Sequence, residues 1–147
     1  PAAKMPGLDG QKMSKSYNNT IQMRDEPERV SARLMAMPTD PARQRRNDPG
    51  DPDKCPVWEL HQVYTAADLR QQLAADCRTA AIGCVDCKRP LLEKILEEQA
   101  ELHERAAPFE SNPGRLREVI ETGCERARAT ADETLNEVRA VVGTLYK

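Results

Sequence analysis

Two lysines three residues apart, Lys12 and Lys15, bracket Met13 and Ser14 and are followed directly by Ser16. Lysine ammonium groups are compact point charges on flexible stems, and a pair at this spacing suits a polyphosphate. Just ahead, Gly7 and Gly10 form a Gly-x-x-Gly turn that lets the backbone bend and carry the lysines with it. An isolated Lys-x-x-Lys pair is ordinarily a solvated loop, because lysines mostly lie on surfaces. Neither Ser14 nor Ser16 has a histidine arrangement that would make it a nucleophile. The sequence holds no hydrolase triad, no dinucleotide glycine fingerprint and no Walker loop.

The second chemical resource is cysteine. Cys55, Cys77, Cys84 and Cys87 read C-x21-C-x6-C-x2-C, and the last pair follows Gly83 as a tight two-thiolate clamp. Four thiolates suit tetrahedral zinc or an iron–sulfur cluster. A C-x-x-C pair also serves thiol redox chemistry, and isolated cysteines are often plain buried residues. Spacing alone leaves these outcomes open. Cys124 stands apart on the apolar stripe of the last helix, where core packing is its expected role. His61 and His103 each sit alone on a helix and read as satisfied surface or core histidines. Trp58, the only tryptophan, lies near Cys55 and is expected to pack on the helices or on whatever the cysteines hold.

These groups need helices to position them. At 147 residues the chain fits one domain that buries about two-thirds of its unfolded surface. Charged residues make up 31% and aromatics 3%, a mix that suits amphipathic helices and argues against a β-sandwich or barrel. A net charge of −2 excludes a generally basic nucleic-acid binder, so any RNA contact must come from local basic clusters. No apolar run approaches the roughly 20 residues that span a bilayer. An odd cysteine count does not suggest a secreted disulfide scaffold, and a reducing cytoplasm is the expectation. The chain opens on Pro1 rather than Met, which reads as a fragment or a processed product.

Taken in order, residues 1–25 read as the lysine loop and a connector. Asp25 then caps a helix with Pro27 in its first turn and an apolar stripe of Val30, Leu34 and Met37, ended by Pro38. Residues 39–54 carry the turn signals Asp40-Pro41, Asp48-Pro49-Gly50 and Asp51-Pro52, with Arg43, Arg45 and Arg46 between them. Three close arginines are usually a solvated patch, and equally suit phosphate contacts. A short helix is predicted over 57–66, another from Ala67 or Asp68 to about Ile82 with Gly83 as its stop, and a longer one from Asp86 to Ala107 closed by Pro108. The clearest periodicity is last. Leu116, Val119, Ile120, Cys124, Ala127, Ala131, Leu135, Val138, Val142 and Leu145 predict one amphipathic helix over about 114–142, with a bend at Gly123. The reading is all-α, a helical bundle over 26–147 with a loop at its head.

The full run Leu8-Asp9-Gly10-Gln11-Lys12-Met13-Ser14-Lys15-Ser16 resembles the signature loop of class I aminoacyl-tRNA synthetases. With Pro6-Gly7 before it and Tyr17-Asn18-Asn19-Thr20-Ile21 after it, the match is to the bacterial tryptophanyl-tRNA synthetase version. That resemblance implies a parent enzyme that activates tryptophan with ATP and Mg, then transfers it to tRNA(Trp). Lys12 and Lys15 would hold the ATP phosphates, and Met13, Ser14 and Ser16 would position a loop that opens and closes. Residues from Thr39 onward would recognise the tRNA anticodon, with Lys88 and Arg89 beside Arg43, Arg45 and Arg46 as contact candidates. The stretch Thr79-Ala80-Ala81-Ile82-Gly83-Cys84-Val85-Asp86-Cys87-Lys88 resembles family members whose four cysteines hold a 4Fe-4S cluster, with zinc as the alternative. The Rossmann-like catalytic domain, with the tryptophan pocket and most dimer contacts, would lie upstream. A homodimeric parent and a monomeric, inactive fragment follow. The rivals are a tyrosyl-tRNA synthetase relative, a zinc-bearing RNA-binding module without catalysis, and a thiol redox protein using Cys84 and Cys87.

Overall fold

The computed structural model describes residues 5–144, which carry five α-helices: α1 (Pro27–Ala36), α2 (Pro56–Tyr64), α3 (Ala67–Arg78), α4 (Cys84–Glu110) and α5 (Pro113–Val142). Two short 3-10 turns, Lys15–Tyr17 and Pro52–Lys54, punctuate the connectors. Among the described residues the only extended pairing is one antiparallel bridge, Pro6 to Lys12. The first four residues of the loop segment and Leu145 of the final stripe lie outside the described residues. The chain divides into two compact units, one through His103 and one from Glu104 onward.

The first unit is built on the apolar stripes that periodicity picks out. Val30, Leu34 and Met37 of the α1 region meet Val57 and Leu60 of α2 and Leu91 and Ile95 of α4. Leu34 and Leu91 are completely buried, each contributing about 1.5–3 kcal/mol relative to exposure. Met5, Leu8 and Ile21 pack on the same core, so the lysine loop is anchored to the helices at both of its ends.

Several helix ends differ from the sequence reading. Asp25 is not the cap of α1: its carboxylate turns back to accept the Gln22 N–H at 2.9 Å and pairs with Arg29 at 3.3 Å, and Glu26 takes the cap position. α3 stops at Arg78 rather than near Ile82, because Ala80 adopts a left-handed φ of 58°. The Ala81 N–H then closes on the Asp76 carbonyl at 2.8 Å. Pro108 does not end α4, which runs two residues further; a proline so near a helix C-terminus removes one hydrogen bond from a turn that is already ending.

In the second unit Asn112 caps α5 by accepting the Arg115 N–H, and the Arg115 guanidinium stacks 4.8 Å over the Phe109 ring. The expected core role of Cys124 is corrected here: Cys124 is exposed, as are Val119, Ile120 and Val138 on the same stripe. Periodicity identifies an apolar face, but burying it needs a second surface that a single helix cannot supply.

Candidate functional site

The lysine loop is tied from within by one buried side chain. Asn19, 3% exposed, accepts the Ser14 N–H on Oδ1 at 2.7 Å. Its Nδ2 donates to Asp9 Oδ1 at 2.8 Å and to the Lys12 carbonyl at 3.1 Å. The Leu8 N–H donates to the Asn19 carbonyl at 2.8 Å, and the Met13 N–H to Met5 O at 2.9 Å. Asp9 also accepts the Gln11 N–H at 2.9 Å; that bond and then the Asn19 amide hold its carboxyl below the usual carboxylate range. Gly10 closes the turn at φ +81°. Gly7 is required for a different reason: a Cβ there would lie 2.2 Å from Asn19 Nδ2. The result is a shaped backbone with Lys12 and Lys15 both exposed and without an ion-pair partner among the described residues.

Asn19 carries no signal in a Lys-x-x-Lys reading, because its role comes from contacts five to ten residues away. Asn19→Ala removes the acceptor of the Ser14 N–H and leaves the Lys12 carbonyl unpaired, about 1–3 kcal/mol of loop order. We expect amide exchange at Ser14 to accelerate about tenfold or more, read by hydrogen exchange.

The four cysteines of the spaced pattern come from three helix ends. Cys55 precedes α2, Cys77 is the next-to-last residue of α3, and Cys84 and Cys87 lie in the first turn of α4. Helix N-termini favour thiolates, and three of the four thiols sit at one. The Cys87 thiol is pushed up to about 12, first by burial and then by the neighbouring Cys77, Cys55 and Cys84. Burial also raises Cys77, opposed by the Arg43 guanidinium. Cys87 therefore lies within electrostatic reach of the other three thiols, and Cys77 within reach of Cys55 and Cys84. Among the described residues, however, no three histidine, cysteine or carboxylate side chains close tightly enough to hold a single metal ion. Gly50 backs the site: its N–H donates to the Cys77 carbonyl at 2.9 Å, and a Cβ there would press to 2.7 Å from Cys77 Sγ.

His61 is fully buried beside these cysteines, with Nε2 3.6 Å from Cys87 Sγ and Nδ1 2.8 Å from Thr65 Oγ1. Burial lowers its pKa to about 4, which leaves the ring neutral at pH 7. The Trp58 ring lies 5.5 Å from it, centroid to centroid.

The basic candidates separate into two groups. Arg45, Arg46 and Arg89 are exposed, with Arg89 paired to Asp86 at 3.4 Å. Arg43 and Lys88 are not surface residues, which corrects their reading as RNA contacts. Arg43 is 8% exposed, and its Nη2 donates to the carbonyls of Arg46 at 2.8 Å and Ile82 at 2.6 Å while Nη1 lies 3.8 Å from Cys77 Sγ. Lys88 is 3% exposed, and its Nζ donates to the Met35 and Met37 carbonyls at 2.8 and 2.6 Å. A cation at the C-terminus of α1 meets the negative end of the helix dipole. Desolvation outweighs the nearby thiols and lowers the Lys88 pKa. The connector is equally built: Asp40 accepts the Asp51 N–H at 2.8 Å and the Ala42 N–H at 3.0 Å, which pull its carboxyl below the usual range. Beside it opens a groove of about 390 Å³ lined by Thr39, Arg45, Arg46, Cys84 and Val85.

A family model described as tRNA synthetases class I (W and Y) matches residues 2–98. The tryptophan–tRNA ligase of Ralstonia nicotianae is 53% identical over 145 residues, covering 99% of this chain and 36% of that protein. The ligase of Deinococcus radiodurans is 43% identical and is covered over 44% of its length. This chain thus spans well under half of these curated relatives. The crystal structure of tryptophanyl-tRNA synthetase from Campylobacter jejuni, complexed with ADP and tryptophan, superposes on 96% of the chain with a TM-score of 0.84 at 25% identity. It matches 44% of that chain. No helix among the described residues is long and apolar enough to cross a membrane. With helices, loop and relatives in agreement over nearly its whole length, the chain belongs to the class I tRNA synthetase family of the tryptophan and tyrosine enzymes and is homologous to tryptophan–tRNA ligase.

Proposed function

We propose that this chain is the C-terminal part of a cytoplasmic tryptophan–tRNA ligase, supplying the ATP-phosphate loop and the tRNA-anticodon domain of the whole enzyme. The observation that carries the first role is the pair of exposed, unpaired ammonium groups of Lys12 and Lys15 on a backbone pinned by Asn19. In the whole enzyme tryptophan's carboxylate attacks the α-phosphorus of Mg-bound ATP, forming tryptophanyl-adenylate and releasing pyrophosphate. Negative charge gathers on the departing oxygens, and two lysines aimed there stabilise it where it develops. Met13, Ser14 and Ser16 shape the same loop. Residues 1–25 then serve the upstream catalytic domain and 26–147 serve tRNA(Trp), whose anticodon backbone suits Arg45, Arg46 and Arg89 around the 390 Å³ groove. The whole enzyme is a homodimer. The fragment alone is a monomer without tryptophan-dependent pyrophosphate exchange.

Cys55, Cys77, Cys84 and Cys87 hold a 4Fe-4S cluster on this reading. What supports this reading is the donor set itself, four cysteines on three helix ends, three of them at helix N-termini. When bound, the cluster cross-links the starts of α2 and α4 to the end of α3. We expect about four irons and four sulfides per chain in protein purified without oxygen, with a brown colour. One zinc and no iron, or neither metal, would overturn the assignment and leave the lysine loop untouched.

A further inference from the structure

The most deeply buried polar group facing the cysteines is not one of the proposed ligands. His61 presents Nε2 to Cys87 Sγ at 3.6 Å, a distance suited to N–H···S, and presents Nδ1 to Thr65 Oγ1 at 2.8 Å. Thr65, at the end of the same helix, is held by its own N–H on the His61 carbonyl at 3.0 Å. A thiolate bound to iron has no proton to give, so the ring nitrogen facing it must be the N–H. Nδ1 is then the acceptor, and the Thr65 hydroxyl, which rotates to donate or accept, satisfies it. The other polar groups near the site are committed elsewhere. Lys88 Nζ is bound by two carbonyls, and Arg43 directs its Nη2 to Arg46 and Ile82, with Nη1 3.8 Å from a different sulfur, that of Cys77.

We propose that His61 is a positioning residue for the cysteine site, donating Nε2–H to the Cys87 thiolate with Thr65 fixing its tautomer, and so raising the reduction potential of the bound cluster. The inference rests on the iron–sulfur reading above. Its physical basis is that an N–H donor stabilises the sulfur more as negative charge increases, so the reduced state gains more than the oxidised one. The ring is fully buried, and little water competes for the bond.

The test uses the full-length enzyme reconstituted anaerobically with iron and sulfide. Iron and sulfide content is measured first, then the one-electron midpoint potential by mediated titration followed by electron paramagnetic resonance. His61→Leu, similar in bulk but without a donor, is expected to lower the reduced-to-oxidised ratio at the wild-type midpoint about tenfold, which is about 59 mV. Thr65→Val is expected to shift the potential the same way by less, and His61→Gln, which keeps an N–H, to restore part of the loss. A merely structural histidine would leave the potential of correctly loaded protein unmoved. Wild-type protein without iron would overturn the cluster reading itself. Loaded wild type with unchanged potentials in His61→Leu and Thr65→Val would overturn this inference alone. If His61→Leu does not fold, an unchanged Thr65→Val potential is sufficient to reject it, because Thr65 reaches the sulfur only through the ring.

Discussion

Alanine at Lys12 or at Lys15 in the full-length enzyme is expected to lower kcat for tryptophan-dependent pyrophosphate exchange by about 10²–10³-fold. On the proposed function each removes a charge that the substrate phosphates would meet most strongly as pyrophosphate departs. An interaction made chiefly in the transition state reduces kcat and kcat/KM together. The KM for tryptophan should change little, since neither lysine has a reason to approach the indole. Both side chains are exposed and carry none of the core, so the variants should fold with wild-type stability. The double variant should lose less than the product of the single losses, because two charges on one polyphosphate act as a unit. Wild-type exchange rates in both single variants would remove the phosphate role from this loop.

Lys88→Met should destabilise the helical unit by about 2–4 kcal/mol in urea-unfolding free energy. The ammonium group binds two carbonyls at the end of α1 and is almost completely buried. Methionine fills a similar volume and leaves both carbonyls buried without a donor. Arg89→Ala is the control one residue away. Arg89 is exposed and its pair with Asp86 lies at the surface, so stability should move by no more than about 0.5 kcal/mol. On the proposed anticodon role, Arg89→Ala weakens tRNA binding at low salt with stability unchanged, whereas Lys88→Met lowers the stability itself. Equal stability of Lys88→Met and wild type would show that Lys88 is not the buried support for α1.

The neighbouring positions 88 and 89 show where local pattern ends. Both are basic, both follow Cys87, and their letters alone give them the same role. On an α-helix they differ by about 100° in direction, and only the position of α1 decides which of them is interior. Arg43, Arg45 and Arg46 divide for the same reason: the carbonyls of Arg46 and Ile82 and the sulfur of Cys77 converge on Arg43 from distant parts of the chain.

What the amino-acid sequence determined by itself is local in origin. The helices of the first unit follow from apolar spacing of three and four residues, and the loop from a contiguous run of glycines, lysines and serines. Helix ends were less legible, since the stop of α3 is a left-handed Ala80 where Gly83 seemed the natural candidate. Only the tertiary structure decided that Asn19 pins the lysine loop, that His61 faces Cys87, and that Lys88 supports α1. Only it showed Cys124 on an exposed face of α5. Backbone preference and periodicity act within a turn or two of chain. A buried polar side chain is chosen by whichever partners the folded helices bring to it, and those partners lie tens of residues away.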